Sequence, residues 1–136
     1  MAVFLNNGVV LTVSGVDLSD HVTAVTINRS FDELEVTAMG DGGHKFIKGL
    51  EASSITIDFL NDTAAGEVLP TLQAAWGTNA VITVKQTSAV VSATNPLYTM
   101  TCLINNTTDI NGAVADLATQ SLTFNVSGTI AVTTAP

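Results

Sequence analysis

The chain has 136 residues, of which 46% are hydrophobic and only 12% charged, and its formal net charge is −8. This length is most simply one domain, which buries enough surface to be stable without disulfide bonds. Twelve acidic residues against four basic ones argue against a nucleic-acid-binding protein, and no apolar run approaches the ~20 residues that cross a bilayer.

The low charge indicates what the surface is made of. Ordinary soluble domains carry about a quarter charged residues, so much of this surface must consist of Thr, Ser, Asn and Ala. Such a surface suits contact with other protein. Cys102 is the single cysteine, which excludes an internal disulfide and favours a reducing compartment. The opening "MAVFLNNGVV" lacks the basic region of a signal peptide.

Alternation of apolar and polar residues predicts strands in the first half of the chain. Residues 8–13 form a short candidate. The longer stretch at 25–32 has one face of Val25, Ile27, Arg29 and Phe31 and a second face of Thr26, Asn28, Ser30 and Asp32. The stretch "SSITIDF" sets Ile55, Ile57 and Phe59 against Ser54, Thr56 and Asp58.

The segment "TAAGEVLPTLQAAWGTN", residues 63–79, has helical spacing instead. Its apolar residues are Val68, Leu69, Leu72, Ala75 and Trp76. Asp62 or Thr63 is expected to cap its start and Gly77 to close its end. Pro70 belongs near the beginning of the regular part. We predict one short α-helix at about residues 64–76, packed on the sheet by Leu72 and Trp76.

Strand patterns return after the helix. Shorter candidates lie at 80–87 and 128–133. The stretch "LYTMTCLI" aligns Tyr98, Met100, Cys102 and Ile104, and "TQSLTFNV" aligns Leu122, Phe124 and Val126. About seven strands and one flanking helix predict a mainly β fold, an antiparallel β-sandwich or barrel. We expect a single domain over 1–136, with a long loop at about 37–50.

The polar faces of the long strands consist of Thr, Ser, Asn and an occasional Asp, with no Lys. Solvent-facing sheets usually carry more charge, and their edges are guarded by Lys. One interpretation is that these polar faces line an interior surface instead of keeping the protein dispersed in solvent. The other is a Thr-rich β protein, since Thr favours strands in any case.

The sequence motifs for phosphate binding, metal binding and catalysis are weak. The loop "GDGGHKF" lacks the Gly-Lys-Ser/Thr of a phosphate-binding loop. His21 and His44, beside Asp20 and Asp41, are expected to be ordinary loop histidines and not metal ligands. Cys102 lies on an apolar face, away from either histidine. We therefore expect neither an enzyme nor a bound metal or cofactor.

Two stretches carry a resemblance to a known family. "VDLSDHVTAVTINRSFDELEVTAMGDG" with "GLEASSITIDFLND" resembles the first half of the major tail (tail tube) proteins of bacteriophages with long, non-contractile tails. "NPLYTMTCLIN" and "INGAVADLATQSLTFNVSGTI" resemble the second half. The resemblance runs in order over nearly the whole chain.

The resemblance implies a structural virion protein. Its subunits form hexameric rings that stack into a hollow tube and conduct DNA into the host. The implied location is the virion tail, assembled in the host cytoplasm. The implied partners are copies of the same chain, tail-tip, tape-measure and tail-terminator proteins, and double-stranded DNA in passage, but no membrane.

The resemblance also assigns two groups of residues. Residues 37–50 match a loop that reaches the neighbouring ring, and its expected contact residues are Gly40, Asp41, Gly42, Gly43, His44, Lys45, Lys48 and Gly49. The glycines are expected to let the loop bend, and Lys45 and Lys48 to meet acidic residues of the next subunit. The expected bore-lining residues are Thr26, Asn28, Ser30, Asp32, Thr56 and Asp58, because a neutral or acidic bore does not hold DNA.

Two alternatives stay open. A capsid-decorating or head–tail joining protein has the same fold but does not stack on itself. An immunoglobulin-like adhesion or carbohydrate-binding domain would present exposed aromatic residues, whereas aromatic residues make up 5% of this chain. The apolar connection "TSAVVSATNP", residues 87–96, is expected to be a contact surface of unassigned partner.

Overall fold

The computed structural model describes residues 8–135, and the opening residues 1–7, which bear on the signal-peptide prediction, lie outside them. The elements are β1 (Val10–Val13), β2 (Val16–Asp17), β3 (Val22–Asn28), β4 (Phe31–Glu35), β5 (Phe46–Glu51), β6 (Ser54–Leu60), α1 (Val68–Ala74), β7 (Asn79–Lys85), β8 (Leu97–Leu103), β9 (Thr119–Asn125) and β10 (Ala131–Thr133). A 3-10 turn over Ser19–His21 joins β2 to β3.

Two antiparallel sheets pack face to face. The larger has five strands in the order β10-β8-β7-β1-β2, and the smaller has three in the order β3-β6-β9. β4 and β5 pair only with each other, as a separate two-stranded hairpin. An isolated bridge between Cys102 and Val126 brings the two sheets together along one side. The predicted mainly β, antiparallel sandwich is confirmed.

Alternation along the strands builds the core, as the sequence predicts. Each long strand of the two sheets turns a row of mainly apolar residues inward, where both sheets and α1 bury them. Fully or almost fully buried are Leu11, Val13, Ile55, Ile57, Phe59, Ile82, Met100, Cys102, Ile104, Leu122 and Phe124. Leu72 of α1 is completely buried against the same cluster. Burial of this many branched and aromatic side chains is the main source of stability.

The helix is shorter than predicted. It spans seven residues, Val68–Ala74, with Pro70 in its first turn as expected. Glu67 occupies the N-cap position without a side-chain hydrogen bond, so the expected cap at Asp62 or Thr63 is wrong. Gly77 does follow the helix end in a left-handed conformation, φ +74°. None of the helices in the described part of the chain is long and apolar enough to cross a membrane.

Trp76 is the clearest error of the helix prediction. Its side chain is 56% exposed, although its spacing places it on the apolar stripe. The reason is that the helix ends at Ala74, so the regular geometry no longer applies two residues later. Leu72, one turn earlier, keeps its predicted place in the core.

The single strand expected over 25–32 is interrupted. β3 ends at Asn28, and β4 begins at Phe31 in a different sheet. Phe31 is therefore 52% exposed and does not share the half-buried face of Val25 and Ile27. Part of the expected loop at 37–50 is also a strand, because β5 begins at Phe46.

Candidate assembly surfaces

The β4–β5 hairpin, residues 31–51, projects from the sandwich and is called the arm below. Glu33 lies opposite Lys48, Leu34 opposite Ile47 and Glu35 opposite Phe46. An irregularity between Phe31 and Glu33 shifts this register near the base. Bulges of this kind bend and twist a hairpin away from the sheet that precedes it.

The arm exposes most of its apolar side chains. All five residues of β4 are exposed. The exposed fractions of the large apolar residues are 52% for Phe31, 50% for Leu34, 46% for Val36, 103% for Met39, 54% for Phe46, 53% for Ile47 and 81% for Leu50. Leu34 and Ile47 lie opposite each other on one face of the hairpin and Phe46 lies on the other, so both faces offer apolar side chains to a partner.

Hydrogen bonds within the tip of the arm give it a defined shape. The Asp41 carboxylate accepts the amide N–H of Ala38 at 2.8 Å and lies 2.9 Å from Nζ of Lys45. These two interactions, the backbone bond first, hold the pKa of Asp41 below its ordinary value. Gly40, at φ +89°, makes the reversal. The tip is therefore preorganised, which reduces the entropy lost when it docks.

The glycines of the arm have different roles. A Cβ on Gly49 would lie 2.8 Å from the backbone oxygen of Asp32, so close approach of the two strands requires glycine there. Around Gly42 and Gly43 there is open space. Gly40 and Gly49 thus meet specific geometric requirements, and the bending of the loop stays a prediction.

The predicted contact residues His44, Lys45 and Lys48 all lie on the arm, each with a partner in the chain. Nδ1 of His44 lies 2.8 Å from Oε2 of Glu35. Nζ of Lys48 lies 5.3 Å from the centre of the Phe31 ring, a cation–π arrangement. The pKa of Glu35 is lowered, first by the His44 contact and then by the Thr37 hydroxyl. Contact with a second subunit stays a prediction for these residues.

A second surface is the outward face of the three-stranded sheet, called the polar face below. Across the strands, Thr26 lies opposite Thr56 and Thr56 opposite Thr123, while Ala24, Asp58 and Ser121 form the next row. The Thr56 and Thr123 hydroxyls are 3.0 Å apart, and Ser121 donates to Asp58. Asn28, Ser54 and Asn125 complete the face.

The structure brings together four of the six predicted bore-lining residues. Thr26, Asn28, Thr56 and Asp58 share the polar face. Ser30 lies in the connection to the arm and Asp32 in β4, so neither belongs to it. Ser121, Thr123 and Asn125 of β9 also belong to the polar face. The sequence pattern shows that these residues are polar, but it does not show that β9 is the neighbour of β6.

β3 also borders a groove. In the part of the chain described here, β3 pairs only with β6, so its other edge is open. A groove of about 1010 Å³ with a mixed polar and apolar lining runs beside it. It is lined by residues 22–27 of β3 and by Val9, Ser19, Arg29, Val84, Gln86 and Tyr98. The unpaired edge of a strand can accept another strand.

His21 lies at the centre of an acidic cluster. Its Nε2 is 2.9 Å from Asp62 Oδ2, and its Nδ1 is 2.9 Å from Asp20 Oδ1 and 3.4 Å from Glu67 Oε2. Partial burial of the ring lowers its pKa, but the hydrogen bonds and charges of the three carboxylates outweigh this, and the pKa is raised. Both ring nitrogens are thus engaged as in a charged imidazolium, which favours an ion-pair cluster joining the 3-10 turn to the segment before α1.

A third surface, which is also exposed and apolar, is formed by Trp76 and the loop 105–118, together called the far end below. Ile110 is 91% exposed, Val114 98% and Leu117 75%. Gln73, Trp76, Thr107 and Asp109 line a cleft of about 260 Å³ between α1 and the loop. The sequence indicates only a turn here, because exposed apolar residues in a loop have no periodicity.

Cys102 is fully buried among the core residues. Desolvation raises the pKa of its thiol to about 11, so the reactive thiolate is scarce at neutral pH. Its position matches the prediction of a small buried hydrophobic residue.

Comparison with known proteins finds a solved structure of similar fold. No protein-family model matches the chain, and no curated protein matches it. Among solved structures, a chain from the virion of a native gene transfer agent particle is similar, with a TM-score of 0.77. The two chains are 12% identical over 96% of this chain and 99% of the other. At this identity the likeness concerns the fold.

Proposed function

We propose that the chain is a structural virion protein that self-assembles into stacked, hexameric rings. The rings form the tail tube of a long-tailed bacteriophage-like particle and conduct DNA to the host. The observation that carries this proposal is the arm, a preorganised hairpin whose apolar side chains lie outside the core. The solved virion protein with the same fold and nearly the same length supports a place in a particle.

The arm supports assembly on energetic grounds. Leu50 and Met39 are 81% and 103% exposed, and an isolated two-stranded hairpin is marginally stable in water. Burying apolar surface contributes roughly 25 cal/mol per Å², so docking the arm on another subunit stabilises both. The composition agrees, since a chain with 12% charged residues has little of the charge that keeps monomers apart.

The polar face is the proposed wall of the bore. Its side chains are hydroxyls, amides and the Asp58 carboxylate, and its strands β3, β6 and β9 contain no Lys or Arg. The five-stranded sheet, by contrast, carries Lys85 in β7. Phosphate contacts repeated along a tube would retain DNA, whereas a neutral or acidic wall lets it slide. Thr26, Asn28, Thr56 and Asp58 are therefore the proposed wall residues.

The proposal implies a location and partners. The protein acts in the tail of the virion after assembly in the host cytoplasm. Tail-tip and tape-measure proteins start and measure the tube, and a tail-terminator protein ends it. Neighbours within a ring are proposed to meet along the open edge of β3, where the groove of about 1010 Å³ offers both polar and apolar contacts.

Negative-stain electron microscopy of the purified, concentrated protein tests this function. Hollow tubes of stacked rings are the expected result. Dispersed particles that stay dispersed with tail-tip components present would contradict it. They would favour a capsid-decorating or head–tail joining protein, in which the arm binds a different partner.

A further inference from the structure

β9 has an outer edge, on the side that faces away from β6. In an antiparallel ladder, residues that bond to the neighbouring strand alternate with residues whose N–H and C=O groups point away from it. The Asn61 amide donates to the Ala118 carbonyl at 2.9 Å, one residue before β9 begins, so the even-numbered residues of β9 bond to β6. The N–H and C=O groups of Thr119, Ser121 and Thr123 therefore point to the outer edge.

Two asparagine side chains occupy part of this edge. Nδ2 of Asn106 donates to the Thr123 carbonyl at 3.1 Å. Nδ2 of Asn111 donates to the Thr119 carbonyl at 3.2 Å and to the hydroxyl oxygen of the same residue at 3.1 Å. A side-chain amide that donates to a strand carbonyl takes the place of the N–H of a neighbouring strand. The loop segment 105–111, called the cover below, thus occupies the edge where a further strand would lie.

A buried glutamine holds the middle of the cover. Gln120 is 1% exposed, and its Oε1 accepts the Thr108 N–H at 3.0 Å. Its Nε2 donates to Oδ1 of Asn61 at 3.0 Å, and Nδ2 of Asn61 donates in turn to the Asp109 carbonyl at 3.4 Å. The cover is therefore held at its middle as well as near both ends.

Each of these bonds depends on a side chain. Among the residues described, no backbone–backbone hydrogen bond joins the cover to β9, and the cover contributes no side chain to the hydrophobic core. Ile110, its large apolar residue, is 91% exposed. Segments with few buried apolar contacts and few backbone hydrogen bonds open at a lower free energy than the core does. The cover can therefore detach while the sandwich stays folded.

We propose that the cover is an autoinhibitory element, which closes the outer edge of β9 until a strand of a second copy of this chain replaces it. The inference rests on the proposed function, which brings ring neighbours to the open edge of β3 but does not say which edge receives it. β3 and β9 are the two outer strands of one sheet, in the order β3-β6-β9. A copy whose cover has opened thus offers a different edge on each side, and such head-to-tail contacts close into rings.

Hydrogen exchange of wild-type chains before and after assembly, resolved to single residues, tests the displacement. The Thr108 N–H is protected in the separate chain because Gln120 accepts it, and it should exchange roughly tenfold faster after assembly. The N–H groups of Ser121 and Thr123 should change in the opposite direction, because a new strand accepts them. Assemblies in which the Thr108 N–H keeps its protection would overturn the inference.

Variants that open the cover give a second measurement. Asn106→Ala/Asn111→Ala removes both side chains that bond to the edge, and neither lies in the core, so the fold should persist. Asn79→Ala, at an exposed position of β7, is the matched control. Light scattering should show roughly tenfold faster assembly of the double variant, because two hydrogen bonds fewer hold the edge closed. The control should assemble at the wild-type rate.

Electron microscopy of the same samples separates this inference from the proposed function. Tubes that form equally fast from wild type and from the double variant would overturn the role of the cover and leave the tube proposal standing. Oligomers of the double variant that are not tubes, with Ser121 and Thr123 protected from exchange, would support the cover and overturn the tube. A folded double variant that stays monomeric would overturn the inference. If the double variant does not fold, the exchange of Thr108 in wild type decides.

Discussion

Ser30 and Ala52 close the base of the arm with two hydrogen bonds. The Ala52 amide donates to the Ser30 carbonyl at 2.7 Å, and the Ser30 hydroxyl donates to the Ala52 carbonyl at 2.9 Å. The arm therefore leaves the sandwich through a defined clamp, and its tip contributes no side chain to the buried core. Mutations in the tip of the arm can accordingly disturb assembly without disturbing the fold.

The first prediction concerns the tip of the arm. Val36 donates to the Lys45 carbonyl at 2.8 Å, so replacing residues 37–44 by Asn-Gly closes the hairpin with a two-residue turn. We expect an unchanged melting temperature, because the core is untouched, and loss of oligomers in sedimentation velocity. A large drop in melting temperature would instead show that the tip supports the fold.

The second prediction concerns Gly49. Gly49→Ala places a methyl group 2.8 Å from the Asp32 carbonyl oxygen, a clash with backbone that the arm can relieve only by shifting its register. We expect faster hydrogen exchange in residues 31–51 and weaker assembly, with a global stability close to wild type. Gly42→Ala is the matched control, because its Cβ meets open space. Equal behaviour of the two variants would contradict the close-approach role.

The alternating strands show what the sequence could predict. Ile55, Ile57 and Phe59 lie in the core as their period of two requires, and so do Leu122 and Phe124. Burial on one face is a local consequence of strand geometry, and it is readable without knowing which strands are neighbours.

The arm shows what the sequence could not predict. Alternation continues from Ile27 through Arg29 to Phe31, although the chain changes sheets between them. The side-chain pattern is the same in a sandwich and in an exposed hairpin, so it cannot report this break. The sequence does not predict β5, because its glycine and its single lysine, Lys48, oppose a strand assignment, and pairing with β4 stabilises it. The prediction that Trp76 packs in the core is wrong for a related reason, since helical spacing does not show where a helix ends.

The third prediction tests the polar face as the wall of the bore. Thr56→Lys adds a charge to the polar face, and Thr99→Lys adds the same charge to the outward face of the five-stranded sheet. Tubes of either variant should bind short duplex DNA in a salt-dependent way. Only DNA held by Thr56→Lys tubes should resist a nuclease, because it lies inside. The reverse pattern would place the five-stranded sheet at the bore.

The fourth prediction concerns pH and His21. The folded-state pKa of His21 is raised above its ordinary value of 6.5, so its ion pairs stabilise the fold fully below that pH. This contribution is lost as the pH rises through the folded-state pKa. The carboxyl groups with shifted pKa values all have a lowered pKa, so they affect stability at acidic pH instead. These groups are Asp17, Glu35, Asp41 and Glu51.

Thermal melts from pH 6 to 9, compared between wild type and His21→Gln, measure this contribution. The wild type should lose its advantage over the variant as the pH rises. A difference in melting temperature that does not depend on pH would show that the His21 ring acts by packing alone.

The fifth prediction uses Trp76, the single tryptophan of the chain. Leu72→Ala removes a fully buried side chain and should lower the free energy of unfolding by about 2–5 kcal/mol. Trp76→Ala removes an exposed one and should change it by no more than about 0.5 kcal/mol, yet weaken assembly. If the far end takes part in contacts between subunits, the fluorescence of Trp76 shifts to the blue on assembly, because the indole leaves water. Emission that stays unchanged while tubes form would place Trp76 outside the contact between rings.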